Sequence, residues 1–288
     1  MKLDQFRDLL VCPETHEPLT LDSDARSLRT SGRHSYEVNN GIPILLREQD
    51  RLLFADVLAS AGKQMVHEYS SATSATSPAN PADLFPPQRL PVEWIHKAYN
   101  RKGDATRILS VGGGPTRNDP KEINLNIAPF PEVDLVANAT RLPFASNTID
   151  GVWSNAVLEH VAGAQEAVHE MVRVVESGGF VINLVPFMQP IHAYPQDFQR
   201  FTAEGLAYLM RDLEILDKGE AVGSSYAMYE LLTKYMDGPG MIALPRWVRG
   251  IARRTLVPAL RRATTNKTDW QISQQLMPSL VYCVGRKR

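Results

Sequence analysis

The sequence predicts an α/β protein: a mostly parallel sheet with helices on both faces, preceded by a small β-rich unit. Three observations carry this. From residue 107 onward, short apolar runs alternate with a helical pattern, the arrangement of parallel strands joined by crossovers. Residues 1–50 show short apolar runs separated by polar or Gly-containing turns, which reads as a meander of strands. Between these regions, residues 70–92 read SSATSATSPANPADLFPPQRLPV, rich in Ser, Ala and Pro without an apolar period, and this marks a linker. The expected division is a small unit at 1–50, a helix and linker at 51–92, and the body at 93–288.

In the small unit, Leu3, Phe6, Leu9 and Leu10 give an apolar-periodic turn. Leu19–Leu21, Leu28–Thr30, Ser35–Val38 and Ile42–Leu46 are the expected strands. In the body, Arg107–Val111 is an apolar run ending in Gly112, Gly113 and Gly114. Further runs follow at Glu122–Ile127, Val133–Ala137 and Ile149–Ser154. Ala164, Ala167, Val168, Met171, Val174 and Val175 keep helical spacing, and the pair Gly178 and Gly179 is expected to end that helix. Phe180–Pro186 then reads as a buried strand. In such sheets ligands bind beyond the carboxyl ends of the strands, so the triple-glycine turn is either a tight turn alone or a place where backbone approaches a ligand.

Composition limits the function classes. Among 288 residues, 31 Lys and Arg stand against 32 Asp and Glu, a net charge of -1, so nucleic acid is not the expected partner. The average hides a local net of -3 over residues 1–50 and an acid-free segment at 238–268 holding seven bases, Arg246, Arg249, Arg253, Arg254, Arg261, Arg262 and Lys267. A helix through PRWVRGIARRT would set Trp247, Val248, Ile251 and Thr255 opposite Arg246, Arg249 and Arg253. That suits peripheral contact with an anionic membrane, or a cover over the site; Pro258 would end or kink it. Two cysteines, Cys12 and Cys283, lie at opposite ends, too few for a disulfide framework or a cysteine-rich zinc site. The N-terminus carries acids where a signal peptide needs an apolar run, and no stretch approaches a membrane span. The expectation is a cytoplasmic protein, with the basic segment as its one route to the inner face of the membrane. Oligomeric state is not readable.

Leu9-Leu10-x-Cys12-Pro13, Pro18-Leu19, and Tyr36 followed by Gly41-Ile42-Pro43 carry a resemblance. Residues 3–50 resemble the zinc-ribbon-like activator proteins that partner tRNA-, rRNA- and release-factor-modifying methyltransferases. A structural zinc site needs four thiolate or imidazole ligands. Here only Cys12, His16 and His34 are offered, so the segment resembles the metal-free branch, Cys12 is expected as a buried structural thiol, and no metal is expected. A unit of this size is marginal alone and is expected to dock on the body.

The body carries a second resemblance. NATRLPFASNTIDGVWSNAVLEHV at 138–161 and EMVRVVESGGFVINLVPF at 170–187 resemble class I S-adenosylmethionine-dependent methyltransferases, which implies a Rossmann-like fold and S-adenosyl-L-methionine as cofactor. By this resemblance Gly112, Gly113 and Gly114 would face the methionine part and Asn126 with Ile127 the ribose. Asn138 and Ala139 would meet the adenine, Leu142 would close over its face, and Ser154 and Asn155 would face the sulfonium and acceptor. The family usually has acids where Ser110, Asn126 and Asn138 stand. Only eleven residues separate Gly114 from Asn126, including Pro115 and Pro120, too few for the usual first helix. The chain resembles a subgroup with this shortened helix, found among glycan or natural-product genes, which also carries the segment from Pro186-Phe187 to Thr202.

That segment supplies the acceptor side. His192 is the candidate base, since an imidazole titrates near operating pH; the alternative is a histidine that only fixes its loop. Tyr194 would line the pocket. His160 reads as catalytic or as a helix-start structural histidine, and Glu159 is equally open. Asp197 and Arg200 read as a structural ion pair, with Thr202 as a helix N-cap. The implied function is methyl transfer to an oxygen of a small-molecule or glycan-type acceptor, with a catalytically inactive binding or scaffold protein as the alternative. RNA or translation-factor modification is disfavoured, because Ser154-Asn155-Ala156-Val157 stands where those enzymes place an (N/D)PP(Y/F)-type tetrapeptide.

Overall fold

The computed structural model describes residues 3–59, 90–115, 117, 119–192, 196–237, 245–264 and 277–288. The small unit contributes β1 (Thr20–Leu21), β2 (Ser27–Arg29), β3 (Ser35–Asn39) and β4 (Ile42–Leu45), an antiparallel meander. Short helices α1 (Glu48–Leu53) and α2 (Ala55–Ala59) follow. The body holds α3 (Val92–Tyr99), β5 (Ile108–Val111), β6 (Glu122–Asn126), β7 (Leu135–Ala137), β8 (Ile149–Asn155), α4 (Ala164–Val174), β9 (Val175–Pro186), α5 (Ala203–Leu209) and β10 (Glu214–Val222). It closes with α6 (Ser224–Asp237), α7 (Arg246–Thr264) and β11 (Leu280–Arg286). Most of the expected linker lies outside the described residues.

The strands run in the order β1-β2-β3-β4-β7-β6-β5-β8-β9-β11-β10. Strands β7, β6, β5, β8 and β9 are mutually parallel, and β11 is antiparallel to both β9 and β10. This is the Rossmann-like sheet that the alternating pattern implies. The small unit continues it: β4 lies parallel against β7, with Ile44 opposite Val136 and Leu45 opposite Ala137. A second seam forms where Leu10 bridges Phe144, Val11 N donates to Pro143 O and Ala145 N donates to Leu9 O. The LPF segment is thus paired with the chain's own N-terminal turn.

The core follows the same joint. Phe6, Leu10, Cys12, Leu28, Tyr36 and Leu45 of the small unit share one buried cluster with Leu109, Phe144 and Met171 of the body. Ile44, Leu46 and Val57 form another with Phe130, Val133 and Val136. A segment too small to bury its own apolar residues completes its core on a neighbour. Cys12 is fully buried, its Sγ 3.1 Å from the Tyr36 hydroxyl, a structural thiol as expected.

One polar tie crosses the joint. Asp50, buried on α1, accepts from Nε and Nη2 of Arg47 and, at 2.9 Å, from Nδ2 of Asn138. Burial acts to raise the Asp50 pKa, but the hydrogen bonds from Arg47 and Asn138 outweigh it and hold the carboxyl below its usual 3.8. Such a group contributes stability that is fully present above its unfolded pKa and is lost as pH falls through its folded value. Thermal melts stepped downward from neutral pH should therefore lose stability below about pH 4. Asp50→Asn should flatten that part of the curve; an acid limb of unchanged slope in the variant contradicts the tie.

Two expectations are corrected. Gly178 and Gly179 do not end α4, which stops at Val174. Its terminal carbonyls are instead capped from the far end of the chain: Lys287 Nζ donates to Val172 O at 2.7 Å and Val175 O at 2.8 Å. The glycine pair lies inside β9, where Gly178 takes φ +78° and a Cβ on Gly179 would stand 2.6 Å from Asp150 O. Of the two effects expected of Pro258, an end or a kink, the end does not occur: α7 runs on to Thr264. On that helix Trp247 and Ile251 are 69% and 55% exposed, while Val248 is half-buried. Among the described residues no helix is long and apolar enough to cross a membrane.

Candidate functional site

The parallel strands bring four carboxyl ends side by side in the order β6, β5, β8, β9. The turn after β5 is shaped by glycine. Gly112 and Gly114 take φ +71° and +68°, and a Cβ on Gly112 would stand 2.3 Å from Val157 Cγ2, a conformation and a space that exclude a side chain. A Cβ on Gly113 would meet Asn124 Oδ1 at 2.5 Å and Ser110 Oγ at 2.8 Å. Asn124, wholly buried on β6, fixes the turn by donating to Gly114 O at 3.1 Å and Glu132 O at 3.0 Å. No helix occurs among the described residues between β5 and β6. Arg117 bolsters that stretch instead, bonding Glu122 O, Glu132 O and the buried Asp134 carboxylate at 2.9 Å.

The cofactor-side residues divide by availability. Asn126 ends β6, and its Oδ1 accepts from Ile127 N at 2.8 Å while its NH2 group remains a donor. Asn155, at the end of β8, is exposed. Asn138 is committed: Oδ1 accepts from Thr140 N and Nδ2 donates to Asp50. Leu142 and Ser154 are fully buried and Ala139 nearly so, so the side chains of Leu142 and Ser154 face the core.

The acceptor side is built by two segments that bind each other. The turn Leu158–His160 follows β8, and residues 196–202 lie against it. Gln199 Nε2 donates to Leu158 O at 3.0 Å and Val161 O at 2.7 Å, and Phe198 N donates to Glu159 O. His160 and His192 meet edge to face, ring centroids 5.1 Å apart. Their Nε2 atoms stand 3.6 and 3.5 Å from the same oxygen, Oε1 of the fully buried Glu159. The Glu159 carboxylate, ahead of the opposing effect of burial, raises the His192 pKa. Asp197 and Arg200 form the expected pair, Arg200 Nη2 donating to Oδ2 at 2.6 Å, and this bond holds the Asp197 pKa down to about 2. Asp197 also accepts from His192 N at 3.0 Å, and Thr202 caps α5 by accepting from Gly205 N. On α6, burial raises the pKa of Glu230, a carboxyl close enough for the His192 charge to oppose that rise. Tyr194 lies outside the described residues. The sequence reading missed Gln199 and Asn124; their signal is an amide within a motif, visible only once its partners are placed.

Comparison with known proteins finds relatives for both parts of the chain. Residues 116–183 match the family model for a methyltransferase domain. A demethylmenaquinone methyltransferase of Lysinibacillus sphaericus is 32% identical over 117 residues, 40% of this chain and 46% of that protein. A UPF0434 protein of Marinomonas is 43% identical over 56 residues, 19% of this chain and 86% of that protein. The solved structure of an S-adenosylmethionine-dependent methyltransferase from Thermotoga maritima superposes with a TM-score of 0.43 at 13% identity, covering 79% of this chain and 99% of that one. Residues 116–183 thus carry the sequence signature of a methyltransferase domain. The chain's N-terminal segment belongs to the UPF0434 family, which is akin to the Trm112 activators. The chain spans about half the length of the demethylmenaquinone methyltransferases it matches.

Proposed function

We propose that this chain methylates an oxygen of a small-molecule or glycan-type acceptor, using S-adenosyl-L-methionine. The observation that carries the reading is the convergence, at neighbouring strand ends, of a glycine-shaped turn, an Asn126 donor and the His160–His192–Glu159 group. The cofactor supplies an activated methyl on a sulfonium whose departure needs little help, so the chain's own task is largely proximity and orientation.

The residues present fit that cofactor. The turn at 112–114 admits close backbone approach, and Asn126 offers its NH2 to a ribose hydroxyl. With Asn138 engaged elsewhere, the main chain at Ala139 remains for the adenine edge. His192 Nε2 would take the proton that an acceptor hydroxyl loses on methylation. Glu159 stabilises the imidazolium that results. Asp197, held by Arg200, fixes the His192 main chain and acts as a positioning residue.

Calorimetry with purified protein and S-adenosylhomocysteine tests the reading. A saturable heat is expected, with a rise in melting temperature that follows ligand concentration. Neither heat nor thermal shift at millimolar ligand would sink it and leave the scaffold reading.

A further inference from the structure

The Glu159–His160–His192 group has a geometry that proton transfer alone does not use. Each ring is anchored through Nδ1: His160 Nδ1 lies 2.6 Å from Gln196 O, and His192 Nδ1 lies 3.0 Å from Pro190 O. A carbonyl oxygen only accepts, so Nδ1 carries the proton in both rings and each neutral ring keeps its lone pair on Nε2. Both lone pairs are directed to one place, beside Glu159 Oε1. The Glu159 carboxylate is fully buried, yet neither of its oxygens makes a hydrogen bond. A buried carboxylate in that condition calls for a cation. Arg200 is close enough to feel its charge, but both terminal nitrogens of Arg200 bond Asp197.

We propose that Glu159, His160 and His192 bind a divalent first-row transition ion. The ligand atoms all lie within 4.8 Å of one another, and the two Nε2–Oε1 separations of 3.6 and 3.5 Å match the roughly 3.4 Å between ligand atoms around a tetrahedral ion with bonds of about 2.1 Å. Two imidazoles and a carboxylate suit zinc, manganese, iron or cobalt; magnesium and calcium prefer oxygen alone. The Nδ1–carbonyl bonds are the outer-shell contacts that fix tautomer and ring orientation at such sites. Of the three ligands His192 is the most exposed, its side chain 34% accessible. The coordination positions left over therefore face solvent on its side, where water or an acceptor oxygen can bind. Ion and proton are alternatives at His192 Nε2. When the ion is bound, the charge that favours ionisation of an acceptor hydroxyl comes from the metal. The inference shares its residues with the methyl-transfer reading but does not depend on it.

The test uses the full chain, stripped with a chelator and titrated with cobalt(II) chloride while visible absorption is followed. One equivalent should bind saturably, with absorption typical of cobalt in a low-coordinate nitrogen and oxygen site. His160→Ala and His192→Ala should each weaken binding at least tenfold, while His169→Ala, at an exposed histidine elsewhere, should leave it unchanged. Glu159→Gln should behave like the two histidine variants; if that buried change prevents folding, the histidine variants decide. Absence of saturable absorption overturns the proposal, as does equal cobalt affinity in wild type, His160→Ala and His192→Ala. S-adenosylhomocysteine binding on the same samples separates the two readings. Cofactor product bound without cobalt refutes the ion alone, and cobalt bound without cofactor product supports the ion while refuting methyl transfer.

Discussion

Leu28→Ala, a change in the small unit, is expected to destabilise the whole chain by about 2–5 kcal/mol in one cooperative transition. Leu28 is 1% exposed on β2 and belongs to the same buried cluster as Leu109, Phe144 and Met171. Truncating it opens a cavity beside side chains that body and unit share, so the loss is not confined to the unit. The four tryptophans provide the readout, because none lies before Trp94. Their fluorescence in a urea titration reports the body alone, and its midpoint should fall in the variant with an unchanged slope. A body transition that stays in place while circular dichroism shows an earlier, separate loss of the unit would contradict the shared core.

His192→Ala should lower kcat by about 10²- to 10⁴-fold, the usual scale for removing a positioned acid or base, and leave S-adenosylhomocysteine affinity within about twofold of wild type. Asn126→Ala should do the reverse, weakening that affinity about 2- to 10-fold, as the loss of one neutral hydrogen bond implies. The opposition follows from position. Asn126 ends β6 beside the glycine turn, whereas His192 lies beyond β9 against Glu159. Calorimetry and single-turnover methyl transfer measure the two quantities separately. Equal loss of affinity from both changes would contradict the assignment, since it would make His192 part of the cofactor's own pocket.

How much of this was legible depended on how far apart the interacting residues lie. The parallel strands, the glycine turn, the lack of a helix among the described residues between β5 and β6, and the Thr202 cap are local, and their residues announce them. The Asp197–Arg200 pair, three residues apart, was equally readable. The end of α4 was not, because its carbonyls are satisfied by Lys287, 115 residues beyond Val172; nearby glycines offered a plausible stop that serves a strand distortion instead. Asn138 reads in sequence as an adenine contact, and nothing local discloses that its amide bonds Asp50, 88 residues earlier. Glu159 was ambiguous for a related reason: a carboxylate beside a histidine in sequence does not disclose that a second histidine, from the next strand's loop, completes the group. Contacts that close long loops leave no local periodicity to read.

The strand β4 occupies the sheet margin at β7, and its covalent tether has a consequence for stoichiometry. A separate helper protein can be shared among several enzymes, diluted, or displaced by a competitor. A tethered unit is present once per body at an effective concentration on the order of millimolar, whatever the chain's abundance. The margin it covers would otherwise present unpaired backbone groups to any passing strand. Fusion thus fixes the ratio of the two parts at one to one and removes that margin from competition.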